Sequence, residues 1–416
     1  VVGADLNAEA VAAVNAGRAP VKETGLAELM TQAQGRLTAT TDVAEACAGA
    51  ELTFLVLPTP TETGGGFSLK YVLAAIEAVG RGLRGKSGYH VVTVTSTVMP
   101  GDMEGALRPA LEKATGRIVG KDLGMCYNPE FIALGSVIRD MLHPDFVLIG
   151  ESDPRAGEVL AGVHRSVVGE GVNLARMAFV NAEITKLAIN TYVTTKISYA
   201  NMLARVCERL PGADADVVTN AIGMDTRIGR KYLKGAVSYG GPCFPRDNLA
   251  FAALGRKVGV PTALPEATDR TNREQVEIFA RLVKENLPTG GTAAVLGLSY
   301  KPETPVCEAS FGMGLAGYLA EAGVSVVAYD PAAMEEARKI LGEKVRFAGS
   351  AAECCRQADV VVIAVGWSEF GKLGAEAFKK DGRRSTVIDC WRVLGGRDVG
   401  ANVMVLGVGR GGAVTR

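Results

Sequence analysis

The residues with the clearest chemical potential lie in one short run, Ser238-Tyr239-Gly240-Gly241-Pro242-Cys243-Phe244-Pro245-Arg246-Asp247. Two glycines and two prolines set an irregular loop around a single cysteine. A cysteine acts as a nucleophile in its thiolate form, which needs a nearby cation or a helix N-terminus. Asp247 comes four residues after Cys243, within reach if the chain after Pro245 turns helical. Gly240 and Gly241 would let the backbone approach a ligand closely. Alone, the run reads equally well as an inert cysteine beside a proline-rich turn.

A second run is Glu183-Ile184-Thr185-Lys186-Leu187-Ala188-Ile189-Asn190. Lys186 and Asn190 are four apart and stack on one helix face. Together they offer donors to a developing oxyanion; a solvated polar face is the bland reading. Three further segments each follow a strand: Pro58-Thr59-Pro60, Ser96-Thr97-Val98-Met99-Pro100-Gly101 and Asn128-Pro129-Glu130-Phe131. Open α/β sheets bind ligands at the carboxyl ends of their strands, although each segment also reads as a turn or a cap. Lys301, after the apolar run 293–298, offers a charge to a phosphate or is a surface lysine.

These groups need elements to hold them. Apolar runs at 52–57, 90–94, 146–149, 293–298, 324–329, 360–365 and 387–389 read as strands. Helix-patterned stretches such as 69–79 and 311–321 lie between them. That alternation argues for parallel α/β sheets. Residues 181–210 contain no Gly or Pro and carry apolar residues at helical spacing, so one long helix is expected there, ended by Pro211-Gly212. No strand-like run follows until about residue 293. The expected architecture is two Rossmann-like doubly wound parallel-sheet domains joined by an all-helical one, at 1–175, 176–280 and 281–416.

The two α/β parts echo each other: Val2-Gly3-Ala4-Asp5 resembles Val327-Ala328-Tyr329-Asp330. An acid at the end of a Rossmann second strand is where a ribose hydroxyl is held, and a strand-end turn is the plainer reading. Asp330 is preceded by a full strand, turn and helix, and Asp5 by four residues. A first strand, its glycine-rich turn and its helix, roughly 30 residues, are therefore expected to be missing from the N-terminal domain.

Composition excludes several classes. Hydrophobic residues make up 48% and charged residues 22%, with a formal net charge of zero, so nothing attracts nucleic acid or an anionic membrane. Eight scattered cysteines show no disulfide framework, which points to a reducing, cytoplasmic setting. Three histidines lack metal-ligand spacing. No apolar run approaches the ~20 residues of a membrane span.

Taken in order, the segments resemble the UDP-glucose/GDP-mannose dehydrogenase family. The matches are Pro58-Thr59-Pro60, Ser96-Thr97-Val98, Asn128-Pro129-Glu130-Phe131, Glu183-x-x-Lys186-x-x-x-Asn190, Gly240-Gly241-Pro242-Cys243-Phe244-Pro245-Arg246-Asp247 and Gly297-Leu298-Ser299-Tyr300-Lys301-Pro302. The resemblance implies an NAD-binding N-terminal domain, a central homodimerisation domain and a C-terminal domain holding the nucleotide diphosphate. It also implies a four-electron, NAD-dependent oxidation through a Cys243 thiohemiacetal and thioester, in precursor supply for a surface polysaccharide. By the family pattern, Lys186 and Asn190 stabilise oxyanions, Asp247 and Thr97 manage water, and Glu130 contacts the sugar or the water network. Asp5 holds the adenosine ribose, and Pro58, Thr59, Ser96 and Thr97 line the cofactor. Arg227 reaches the neighbouring subunit's substrate. The stretch from Lys234 through Tyr239 to Gly240 wraps the substrate, and Lys301 and Arg392 hold its distal end. The chain departs from the pattern at Thr95, Leu134, Arg246 and Glu308. UDP-glucose is the expected substrate. UDP-N-acetylmannosamine, UDP-N-acetylglucosamine and GDP-mannose stay open, as does a non-catalytic nucleotide-sugar-binding dimer. A two-electron hydroxyacid dehydrogenase shares the plan but needs no loop cysteine.

Overall fold

The computed structural model describes residues 1–378 and 384–412. The chain folds as two compact units, residues 1–188 with 253–259, and residues 189–252 with 260–416. The boundary falls inside one helix, Phe179–Glu208.

In the first unit, β1 (Val2–Ala4) and β2 (Thr38–Thr40) pair parallel as a two-stranded sheet. A separate sheet runs in the order β3 (Leu52–Leu55), β4 (His90–Val94), β5 (Leu123–Tyr127), β6 (Val147–Glu151), β7 (Leu174–Met177). β3, β4 and β5 are mutually parallel, so the loops after them share one edge. β4 and β5 are buried at every residue. Alternate residues face opposite sides: Val92, Val94 and Met125 pack with Ile76 and Val79, while Val91 and Cys126 pack with Ala156 and Leu160. Burial on both faces is why these strands read as unbroken apolar runs rather than alternating ones. One expectation is corrected: β6 pairs antiparallel with β5, Cys126 opposite Glu151 and Tyr127 opposite Gly150. Hydropathy records which face a residue occupies but not which way its strand runs.

His90 is fully buried in β4, within 3.0 Å of the Thr53 hydroxyl and 2.9 Å of the Ala50 carbonyl. Burial first, then the Lys86 charge, pushes its pKa down to about 4. The unfolded imidazole binds its proton near pH 6.5 and the folded one does not until about pH 4. Stability therefore falls as pH drops through that window, by about 3 kcal/mol in all. Urea unfolding at pH 7 and pH 4.5 should show this loss in the native chain and a smaller one in His90→Gln. Equal losses would show that His90 is not the sensor.

The second unit holds a parallel six-stranded sheet. Its strands are β8 (Thr292–Leu296), β9 (Ser325–Tyr329), β10 (Arg346–Phe347), β11 (Val360–Ile363), β12 (Ser385–Asp389) and β13 (Val403–Gly407). Their spatial order is β10-β9-β8-β11-β12-β13, the 3-2-1-4-5-6 order of a dinucleotide-binding fold. Gly297, at φ +101°, ends β8, and its carbonyl lies where a Cβ on Gly312 would stand. That contact lets helix Phe311–Glu321 pack tightly on the strand. Between β7 and β8 the described chain is helical, with Phe179–Glu208, Ala215–Ile222, Phe244–Val258 and Ala263–Asn286. The long helix was expected at 181–210, and most strand ends shift by one or two residues. Among the described residues no helix is long and apolar enough to cross a membrane, and no cluster is placed to hold a metal ion.

Candidate functional site

In the first unit, the loops after β3 and β4 are stitched together. The Ser96 hydroxyl donates to the Leu57 carbonyl at 2.7 Å and accepts from its N–H at 2.8 Å. The Thr59 hydroxyl donates to the Thr97 carbonyl at 2.8 Å. Both hydroxyls therefore shape the sheet edge, a different task from the direct cofactor contact expected of them. Pro58 is exposed and Thr97 is half-buried on that edge.

Lys186 lies on the long helix and is buried. Its ammonium donates to the Glu130 carbonyl at 2.5 Å and sits 4.6 Å above the Phe131 ring. Burial raises the Glu130 carboxyl above its ordinary range, and the Lys186 charge opposes that rise. One turn earlier, the carboxylate of fully buried Glu183 accepts the N–H groups of Gly101 (2.7 Å) and Met103 (2.8 Å). It caps the turn that follows Ser96-Thr97, a role that neither its type nor its helical position announces.

Asp5 is exposed at the end of β1 and accepts the N–H of Asn7 at 2.8 Å. Its echo Asp330 is buried. One Asp330 oxygen accepts from the N–H groups of Leu298 (2.7 Å) and Ser299 (2.9 Å) and from the Ser299 hydroxyl, and the other from the N–H groups of Ala332 and Ala333. Asp5 is open to solvent, whereas Asp330 is filled by the chain's own loop. An exposed carboxylate at a strand end is the kind of acceptor that a ribose hydroxyl needs, so the residue present fits NAD there.

In the second unit, Cys243 is exposed, and its carbonyl accepts the Asp247 N–H at 2.9 Å. It therefore stands at the N-terminus of helix Phe244–Val258, where the helix dipole stabilises an anionic sulfur. The turn after Pro245 is helical, as the Cys-to-Asp spacing required. Asp247 is buried, and one of its oxygens accepts from the Asn190 amide at 2.6 Å. Arg246 lies 3.8 Å from the other oxygen.

The two loop glycines answer to a different neighbour than expected. A Cβ on Gly240 would fall 2.3 Å from the Ala309 carbonyl oxygen, and one on Gly241 2.7 Å from the Tyr300 ring. Gly241, at φ +85°, donates its N–H to the Glu308 carbonyl at 2.9 Å. They let the cysteine loop dock on the 299–310 loop, so their need is internal packing rather than ligand approach. Lys301 in that loop places its ammonium 5.8 Å from the Tyr300 ring centre.

Two expected substrate ligands are engaged elsewhere. Tyr239 is buried; its phenol accepts from the Asn248 amide at 2.7 Å, and its backbone N–H and C=O pair with the Asn272 side chain at 2.8 and 3.0 Å. Arg392, at φ +58°, holds Asp216 in a two-point ion pair at 2.6 and 2.7 Å and donates to the Val408 carbonyl. Its side chain is 5% exposed. Burial and those partners leave its guanidinium little capacity for a substrate. Lys234 is exposed, and Arg227 is exposed beside Asp225 at 2.6 Å.

Comparison with known proteins supplies the frame. Three domain profiles of the UDP-glucose/GDP-mannose dehydrogenase family match in order: the NAD binding domain at residues 1–168, the central domain at 180–274 and the UDP binding domain at 294–396. The chain is 36% identical over 402 residues to a UDP-glucose 6-dehydrogenase of Haloferax volcanii, covering 96% of this chain and 92% of that one. It is 32% identical to the UDP-glucose 6-dehydrogenase TuaD of Bacillus subtilis, over 94% of this chain and 83% of that one. Its fold superposes on a UDP-glucose dehydrogenase from the archaeon Pyrobaculum islandicum with a TM-score of 0.88 at 35% identity, covering 99% of this chain and 92% of that one.

Proposed function

Because this chain belongs to the UDP-glucose/GDP-mannose dehydrogenase family and is an NAD-dependent nucleotide-sugar oxidoreductase, we propose that it oxidises the C6 alcohol of UDP-glucose to a carboxylate through Cys243. The carrying observation is the exposed thiol at a helix N-terminus, one turn from an Asp247 carboxylate held by Asn190. UDP-glucose is preferred because that sugar nucleotide stands in the names of the relatives at 36% and 35% identity.

NAD, when bound, supplies the electron acceptor for each of the two oxidations. The alcohol first loses two electrons and two protons to become an aldehyde. The Cys243 sulfur adds to the aldehyde carbon, and the carbonyl oxygen takes the thiol's proton, giving a thiohemiacetal. Removal of two more electrons and two protons gives a thioester on Cys243. Water adds to that carbonyl, the carbon–sulfur bond breaks, and the carboxylate leaves with the thiol restored. Splitting the path in this way gives one hard step two easier halves. Lys186 and Asn190 donate to the oxyanions of the addition steps. Asp247 receives the proton of the attacking water, with Thr97 and Glu130 ordering that water. Asp5, Pro58 and Thr97 hold NAD, on a sheet edge that the Thr59 and Ser96 hydroxyls keep in shape. Gly240 lets the cysteine loop dock on the loop that carries Lys301, and Lys234 and Lys301 hold the sugar nucleotide. Tyr239 and Arg392 shape its pocket from behind.

The reaction takes place in the cytoplasm, on a homodimer. Tyr192, Tyr199, Met202 and Val206 recur along one face of the long helix and are 47–65% exposed, an apolar stripe suited to a second copy. Exposed Arg227 would reach the partner's substrate. Sedimentation of Met202→Glu/Val206→Glu should show a monomer where the native chain shows a dimer. A variant that remains dimeric would reject this face.

The function itself is tested by the NADH formed per nucleotide sugar consumed, with UDP-glucose, UDP-N-acetylmannosamine, UDP-N-acetylglucosamine and GDP-mannose each offered in turn. Two NADH with UDP-glucose is expected. Two with another sugar would change the substrate alone, and none with any would favour a binding protein.

A further inference from the structure

Asn248 directly follows the acid of the cysteine turn and is 1% exposed. Its amide donates to the Tyr239 phenol at 2.7 Å and to the Thr194 hydroxyl at 2.9 Å. Thr194 lies four residues beyond Asn190, so Asp247 and Asn248 grip successive turns of the long helix. The other end of Tyr239 is held by Asn272, which takes both its N–H and its C=O. Asn201 does the same for the earlier part of the loop, accepting the Ala236 N–H and donating to the Val237 carbonyl, both at 2.8 Å. A continuous buried chain therefore runs from the 236–239 loop through Tyr239 and Asn248 to the turn that carries Cys243 and Asp247. Such networks rigidify when every member is satisfied and lose definition when one is removed.

We propose that Asn248 is a positioning residue that locks the 236–239 loop to the Cys243 turn, so that the aldehyde formed in the first oxidation stays against the sulfur until the second. This rests on the four-electron reading above. Asn248 touches no reacting atom; its effect is on how the intermediate partitions between capture by Cys243 and escape. A general weakening of the fold would slow both oxidations alike. Loss of register would slow the sulfur's attack more than the first oxidation, because a misplacement of about 1 Å can cost ~10²-fold in a step that depends on alignment.

The test uses the full-length chain with UDP-glucose and semicarbazide as an aldehyde trap. Asn248→Ala removes the hub. Tyr239→Phe removes the phenol's bonds to Asn248 and Thr194 and leaves the backbone pair with Asn272, so it keeps the test open if the first variant does not fold. In both, NADH per sugar should fall from two towards one, and trapped aldehyde should rise on the order of tenfold above the native enzyme. Variants that turn over slowly, yet still give two NADH and no more trapped aldehyde, overturn the inference and leave the four-electron reading standing. A native enzyme that gives one NADH per sugar overturns that reading, and the inference with it.

Discussion

Cys243→Ala stops the chemistry after one oxidation. NADH per sugar falls from two to one, free aldehyde accumulates in the presence of a trapping amine, and carboxylate formation drops by at least ~10³-fold. The size of the effect follows from what the sulfur does: without it no covalent adduct holds the aldehyde, and no thioester forms for water to cleave. Alanine retains the backbone carbonyl that accepts the Asp247 N–H at the helix start. The fold should survive, and far-UV circular dichroism with a thermal melt would confirm that. Carboxylate formed at near-native rate by the variant would sink the thioester mechanism and move the chain to a two-electron dehydrogenase.

Lys186→Met is the second large effect. Methionine keeps most of the side-chain volume over the Phe131 ring and removes only the charge and its donors. If Lys186 stabilises the oxyanion, kcat falls by about 10²–10³-fold with little change in KM. A pH signature accompanies the loss. The Lys186 charge holds the Glu130 carboxyl down against a burial that raises it. Without that charge Glu130 keeps its proton to higher pH, so the acidic limb of the kcat/KM profile moves upward. A lysine that serves only to tether the Glu130 carbonyl would cost stability and leave that limb where it was.

The parts of this site that the sequence makes legible are local ones. The step from Cys243 to Asp247 is one helical turn, and so is that from Lys186 to Asn190, so a motif and a period place each pair. The alternation of strands and helices likewise declares two α/β stretches of chain with a helical one between them in sequence. What stays hidden is every relation between residues far apart in the chain. Arg392 reads as a free cation until Asp216, 176 residues earlier, is found in its fork. Gly240 and Gly241 read as ligand-facing until the Ala309 and Tyr300 contacts explain them. Asn248, Asn201 and Asn272 carry no signal at all, because a helical asparagine that is buried and doubly bonded looks in sequence like one on a wet surface. Glu183 hides in the same way: its carboxylate serves backbone N–H groups some 80 residues away.

The contrast between Asp5 and Asp330 bears on how many dinucleotides one chain carries. Two strands that each end in an acid, one in each unit, invite an expectation of two equivalent cofactor sites. The acid that would receive a ribose in the second sheet is closed off by the N–H groups of Leu298, Ser299, Ala332 and Ala333, so a visitor's hydroxyl would have to displace bonds already satisfied in a buried place. Titration with NAD should therefore saturate at one equivalent per polypeptide. On this reading one acid of the pair would seat a coenzyme and the other would only tie its own loop together.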